Sequence, residues 1–203
     1  MFTNKDTKKI RVGRSFIGGG SPVLVQSMTN TATKDIEATL AQIERLRQAG
    51  CELVRCGVPD MESAVALGKI VKGTDLPVCA DIHFDADLAV EAVRQGVAKL
   101  RINPGNLKNK DEVKKLAYLC KSAQIPIRIG VNAGSLDPAL HKKYGKICPE
   151  AMVESAENEI KLLEECGFYD IIISLKASSV PLCVESYRLL ACLLYTSPSP
   201  RDS

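Results

Sequence analysis

From residue 23 onward the chain alternates two patterns. Short apolar runs, VLVQSMT (23–29), CELVRCGVP (51–59), VCADIHF (78–84), AKLRINPG (98–105), IPIRIGVNAG (125–134) and DIIISLKAS (170–178), read as strands. Each precedes a longer segment that reads as a helix: 35–50, 61–73, 86–96, 110–124, 149–167 and 180–194. In the first of these Ile36, Leu40, Ile43 and Leu46 recur at helical spacing, and Gly50, Gly96 and Gly167 stand where three of the helices should stop. Six such βα units predict an α/β protein with a parallel sheet and helices outside it. A closed barrel of the TIM type needs eight units, so the expected fold is an incomplete (β/α) barrel. Ahead of it, IRVGRSFIGGGSPV (10–23) reads as a hairpin with a glycine turn, placed to plug one barrel end. Residues 1–194 are taken as the partial barrel, the substrate-binding domain, and YTSPSPRDS (195–203) as a disordered tail. Its abrupt composition reads as a non-native end, so that the chain is expected to be a fragment.

Within each strand, residues two apart share a face. Arg55 opposes Val54 and Cys56, and Asp81 and His83 oppose Ala80, Ile82 and Phe84. Arg101 and Asn103 oppose Leu100 and Ile102, and Arg128, Gly130 and Asn132 oppose Ile127, Ile129 and Val131. Ser174 and Lys176 oppose Ile173 and Leu175, and Gln26 opposes Val25 and Ser27. Every strand thus has an apolar face suited to packing under helices. Its other face is polar toward the C-terminal end, the rim where barrel active sites lie. Arg55, Arg101, Arg128 and Lys176 would converge there from four strands. Four cations repel one another, and burying each costs several kcal/mol. Asp81 offsets about one of them, and an anionic ligand would offset the rest. Guanidinium forks match phosphate oxygens in pairs, so two or more phosphates fit the set better than a single carboxylate. Asp81 and His83 lie together on one face, where they could form a structural hydrogen bond or orient a ligand and relay a proton. His141, in ALHKKYG, has no such context and is expected on the surface.

Composition narrows the picture. Of 203 residues 45% are hydrophobic, which fits a packed core, and a net charge of +3 is too mild to imply nucleic-acid binding. No apolar run approaches the roughly 18 residues of a membrane span, and MFTNKDTKKIRVG has no signal-peptide core, so the expected location is cytoplasmic. Eight cysteines, at 51, 56, 79, 120, 148, 166, 183 and 192, form no C-x-x-C pair. They read as buried small hydrophobes rather than as disulfides or as metal or cluster ligands.

Five stretches, VQSMTNT, ADIHFD, LRINPGN, IPIRIGVNAGSL and SLKAS, together resemble the barrel domain of the 4-hydroxy-3-methylbut-2-enyl diphosphate synthase family over residues 10–191. These are iron–sulfur oxidoreductases of the non-mevalonate isoprenoid pathway. The resemblance implies reductive ring opening and dehydroxylation of 2-C-methyl-D-erythritol 2,4-cyclodiphosphate, with electrons from ferredoxin or flavodoxin. It implies that the substrate diphosphate lies on Arg55, Arg101, Asn103, Arg128, Asn132 and Lys176, with Asp81 and His83 in supporting catalytic roles. It also implies a homodimer and a 4Fe-4S cluster held by three cysteines and a glutamate of a C-terminal domain. That domain, the last two barrel strands and a barrel acid used in catalysis find no counterpart in these 203 residues, and RCGVP departs from the commoner Val or Ser beside the arginine. The fragment alone is therefore expected to be inactive. Two other readings stay open: a pterin-binding barrel of the dihydropteroate synthase type, and a phosphate-binding module without catalysis.

Overall fold

The computed structural model describes residues 7–82, 85–102 and 110–196. A short antiparallel hairpin, β1 (Ile10–Val12) and β2 (Ser15–Ile17), leads into a parallel sheet. Its strands are β3 (Gln26–Met28), β4 (Leu53–Gly57), β5 (Val78–Asp81), β6 (Lys99–Arg101), β7 (Ile127–Asn132) and β8 (Ile171–Lys176). They pair in chain order, β3-β4-β5-β6-β7-β8, every neighbour parallel. Helices α1 (Ile36–Gln48), α2 (Met61–Lys72), α3 (Ala86–Arg94) and α4 (Lys110–Ala123) each return the chain between successive strands. Two helices, α5 (Pro138–Tyr144) and α6 (Pro149–Glu164), connect β7 to β8, and α7 (Val180–Thr196) follows β8. The result is the six-unit partial α/β barrel that the alternation predicts.

Local chemistry sets the helix ends. Asp35, Asp60 and Asp85 cap α1, α2 and α3, each carboxylate accepting a hydrogen bond from a backbone N–H of the first turn. After α1, α3 and α6, Gly50, Gly96 and Gly167 hold φ of 91°, 83° and 68°, the left-handed region glycine enters without a Cβ penalty. After α4 the same role falls to Gln124, with φ 54°.

Two differences from the expected elements have physical causes. Residues 138–144 form α5 where no helix was expected. Asp137 caps it, Pro138 opens it and left-handed Gly145 closes it, so terminal signals make a helix too short for any periodicity to announce. The α7 helix runs to Thr196, two residues into the segment expected as a tail, because Leu193 and Leu194 continue its helix-forming run. Residues 197–203 lie outside the described part.

The core has two compartments. Between sheet and helices, Val54, Ala80, Ile82, Leu100, Ile102, Ile127 and Ile129 are fully buried against Leu67, Ala89, Leu116 and Met152. On the opposite face a smaller cluster joins Leu53 and Cys79 of the sheet to Val12 of the hairpin, with Ile17, Ala98 and Ile172 around it. The hairpin therefore closes the floor of the curled sheet. Lys8 extends the closure, pairing with Asp170 at 2.8 Å just before β8.

Candidate anion-binding site at the strand rim

The polar face is built by strand alternation. In β7 the burial pattern alternates, Ile127, Ile129 and Val131 buried, Arg128 and Gly130 half-buried, Asn132 exposed. Register sets who stands beside whom: Arg101 is level with Asp81 on one side and with Arg128 on the other. Arg55 enters from β4 next to them, level with Met28.

Asp81 is the hub. Its Oδ1 accepts from Arg101 Nη1 at 3.1 Å and its Oδ2 lies 3.3 Å from Arg55 Nε, while the carboxylate itself is almost fully buried. Such a bridge fixes two guanidiniums at one height. The Arg55 fork also lies against Met28, with Nε and Nη2 3.3 and 3.1 Å from Sδ, a polarizable thioether that supports the charge without neutralising it. Gly130 matters by what it lacks. A Cβ there would stand 3.3 Å from both Nε and Nη2 of Arg101, so glycine lets that guanidinium lie across β7.

Arg128 completes the trio. Burial, then the like charge of Arg55 and more weakly that of Arg101, hold its guanidinium below its ordinary value. Among the described residues Arg128 makes no salt bridge. Among the described residues, Asp81 thus pairs with two guanidiniums and a third lies beside them, an excess of positive charge on this face.

The remaining candidates divide. Asn132 and Lys176 are level on β7 and β8, farther up the rim and exposed. The Asn132 side chain accepts from Gly134 N at 3.3 Å, capping a 3-10 turn over Ala133–Ser135, which makes it a local brace as well as a rim group. No hydrogen bond or ion pair among the described residues joins Lys176 to the three arginines. His83 and Asn103, and with Asn103 the Asn-Pro-Gly turn, lie outside the described residues. His141 is exposed at the end of α5.

One residue escapes the reading by alternation although the rule contains it. Lys99 is two positions before Arg101, so both share a face. It is 1% exposed, one of the largest fully buried side chains, and its Nζ donates to Gln26 Oε1 of β3 at 2.8 Å. Burial pulls its ammonium down to about 8, with Arg128 and Arg55 pushing the same way. The signal was the lysine's position on an inward face. Lysine in a short strand otherwise reads as a solvated edge.

Five of the eight cysteines are buried as expected, whereas Cys166 and Cys183 are half-buried and Cys192, on α7, is exposed. Cys51, Cys56, Cys79, Cys120 and Cys148 are buried, and burial pushes the Cys79 and Cys120 thiols up to about 11 and about 12. Among the described residues no three His, Cys, Asp or Glu side chains gather as a metal site. The described residues therefore present no ligand set that would fit an iron–sulfur cluster.

A parallel sheet paired in chain order and wrapped by helices, with Arg55, Arg101 and Arg128 on its inner face, defines a partial α/β barrel of the TIM type. The chain belongs to the family of the GcpE TIM-barrel domain, whose model matches residues 7–198. It is 52% identical over 186 residues to a 4-hydroxy-3-methylbut-2-en-1-yl diphosphate synthase (flavodoxin) of Clostridium acetobutylicum, covering 92% of this chain and 53% of the relative. The enzyme of the same name from Thermodesulfovibrio yellowstonii is 53% identical over 191 residues, 94% of this chain and 55% of that one. The chain thus spans about half the length of the curated relatives it matches. Among solved structures, a dihydropteroate synthase of Clostridium difficile superposes with a TM-score of 0.62 at 16% identity, covering 90% of this chain and 73% of that one. At that identity the likeness is one of fold. No helix among the described residues is long and apolar enough to cross a membrane.

Proposed function

We propose that this chain is the substrate-binding barrel of a 4-hydroxy-3-methylbut-2-enyl diphosphate synthase, a cytoplasmic oxidoreductase of isoprenoid biosynthesis. The observation that carries the reading is that Arg55 and Arg101 bridge the carboxylate of Asp81 while Arg128, level with Arg101, makes no salt bridge among the described residues. The substrate would be 2-C-methyl-D-erythritol 2,4-cyclodiphosphate. Its diphosphate brings the negative charge the rim lacks, and each charged hydrogen bond from a guanidinium contributes roughly 1.5–3 kcal/mol. Asp81 holds the Arg55 and Arg101 guanidiniums through one oxygen each, so that they would meet the phosphates already oriented. Asn103, Asn132 and Lys176 would complete the cradle from the strand ends, with His83 beside Asp81.

Reductive opening of the ring needs electrons that no side chain here supplies. A flavodoxin is the reductant named for the relatives, and a ferredoxin would serve the same chemistry. The 4Fe-4S cluster and homodimer implied by the resemblance would draw on residues other than these, and no step is routed through the cluster. With neither electron source nor cluster ligands of its own, the chain alone should bind substrate without turning it over.

Calorimetric titration of this chain with the cyclodiphosphate and, separately, with a pterin diphosphate tests the reading. Binding of the first and indifference to the second is the expected result. The reverse preference would move the chain to the chemistry of its dihydropteroate synthase fold neighbours. Equal, weak binding of both would leave an unselective phosphate-binding module and end the proposal.

A further inference from the structure

Beside Arg55, Arg101, Arg128 and Lys176, the inner face holds a further cation that the diphosphate reading does not use. Lys99 lies one step below Arg101 on β6, level with Cys79 of β5 and sealed from solvent. Its one hydrogen-bond acceptor among the described residues is a neutral amide oxygen, that of Gln26. Asp81, the carboxylate of this face, is already bridged by Arg55 and Arg101. An ammonium in such a place is costly, since burial disfavours the charged form and the neighbouring guanidiniums repel it. An apolar side chain of the same length would fill the space more cheaply, so packing alone does not account for a lysine.

We propose that Lys99 is the positioning residue beneath the diphosphate site, its ammonium anchored on Gln26 and setting from below how strongly the three arginines hold an anion. The proposal rests on the anion-binding reading of the rim. It works without contact between Lys99 and ligand. A buried positive charge raises the potential at the rim through a low-dielectric interior, where screening by salt is weak. It also repels Arg55 and Arg128 toward the mouth of the barrel. Binding of an anion reverses the balance, because the ammonium then gains an opposite charge overhead and holds its proton more tightly. Anion binding and protonation of Lys99 are therefore linked.

The charged and titratable groups around Lys99 permit this assignment. They are Arg55 on β4, Cys79 and Asp81 on β5, Arg101 on its own strand and Arg128 on β7. From β3 comes neutral Gln26. At this depth the hairpin and β8 present Val12 and Ile172, with Lys176 farther up the rim. Burial pushes the Cys79 thiol up to about 11. Among the described residues, Lys99, pulled down to about 8, is a group of this face that changes charge between pH 7 and 9.

The test is calorimetric titration of this chain with inorganic pyrophosphate from pH 6.5 to 9.5, in buffers of different ionisation enthalpy. The native chain should take up a fraction of a proton on binding near pH 8. Lys99→Met should bind about tenfold more weakly at pH 7 and lose that uptake, whereas Lys99→Arg should restore affinity without the uptake. The titration of pyrophosphate itself is common to all three proteins and cancels in the comparison. Should Lys99→Met or Lys99→Arg not fold, Gln26→Leu tests the same link: without its acceptor the ammonium loses its proton more readily, and the uptake should move to lower pH. Affinity and proton uptake unchanged in Lys99→Met, or an unmoved profile in Gln26→Leu, would overturn the role of Lys99 while leaving the arginine site standing. A native chain that does not bind pyrophosphate would overturn the anion site and the Lys99 proposal with it.

Discussion

The outer and inner faces of one sheet invite comparison because the same strands build both. On the outer face Val54, Ala80, Leu100, Ile127 and Ile129 are fully buried under helices, and every partner they need is within the chain. On the inner face, among the described residues, stand Arg55, Lys99, Arg101 and Arg128 with the carboxylate of Asp81, and Lys176 farther up. The outer face is self-sufficient. The inner face is closed in its lower part, where Val12 and Leu53 meet at the floor, and above it the cations outnumber the carboxylates among the described residues. Stability and ligand affinity should therefore separate cleanly by face.

The largest effect expected is on the outer face. Leu100→Ala should lower the unfolding free energy by about 2–5 kcal/mol through the cavity it leaves, and pyrophosphate affinity of the folded fraction should not change. A parallel loss of affinity in calorimetry would break the division. Lys99 gives the inner-face counterpart. Folded, its ammonium loses the proton near pH 8, whereas an unfolded lysine keeps it to about 10.5. Between those values the unfolded state binds more protons, so the Lys99 contribution to stability rises with pH from about 8 and is complete above 10.5. Lys99→Met should remove this rise and stabilise the chain at pH 7 by up to about 3 kcal/mol. Denaturant titrations at pH 7 and 10 on both proteins would show it, and a destabilised Lys99→Met at pH 7 would make the lysine structural after all.

Arg101→Leu should cost about 1.5–3 kcal/mol of pyrophosphate affinity. Unfolding should shift far less than in Leu100→Ala, its immediate neighbour in sequence. Equal affinity of mutant and native chain would show that Arg101 serves only to hold Asp81. The smallest effect sharpens the geometry. Gly130→Val places branched carbon where the Arg101 guanidinium now lies, 3.3 Å from the missing Cβ. Affinity should fall by about 1 kcal/mol with little change in fold. A Gly130→Val chain that binds as well as the native one would mean that Arg101 reaches its ligand by another path.

The sheet was legible because period-2 alternation and helical spacing are properties of the chain itself, and right-handed crossovers then leave few ways to order the strands. The inward set Arg55, Asp81, Arg101 and Arg128 followed from the same alternation. What stayed hidden depends on depth and on termini. Lys99 obeys the alternation, yet its burial comes from the curl of the sheet and the hairpin beneath it, which no local window contains. Asn132 looked like a rim ligand because its face was right, and its bond to Gly134 N needs the turn geometry to be seen. In α5, seven residues are too few for a periodic signal, although Asp137, Pro138 and Gly145 mark both its ends.

The hairpin has a consequence in time as well as in space. Each βα unit brings together residues a few dozen positions apart, but Lys8 meets Asp170 across 162 positions. Closing a loop of that length costs roughly 4–5 kcal/mol of chain entropy by the logarithmic rule. Contacts so remote form after local ones have shortened the effective loop. The floor beneath the cationic face is then set in place last, once the strands above it are paired. In pulse-labelled hydrogen exchange during refolding, the β1–β2 amides should gain protection later than those of β7. The dry interior on which the low proton affinity of Lys99 depends would be a late product of folding, completed when the two distant ends of the chain meet.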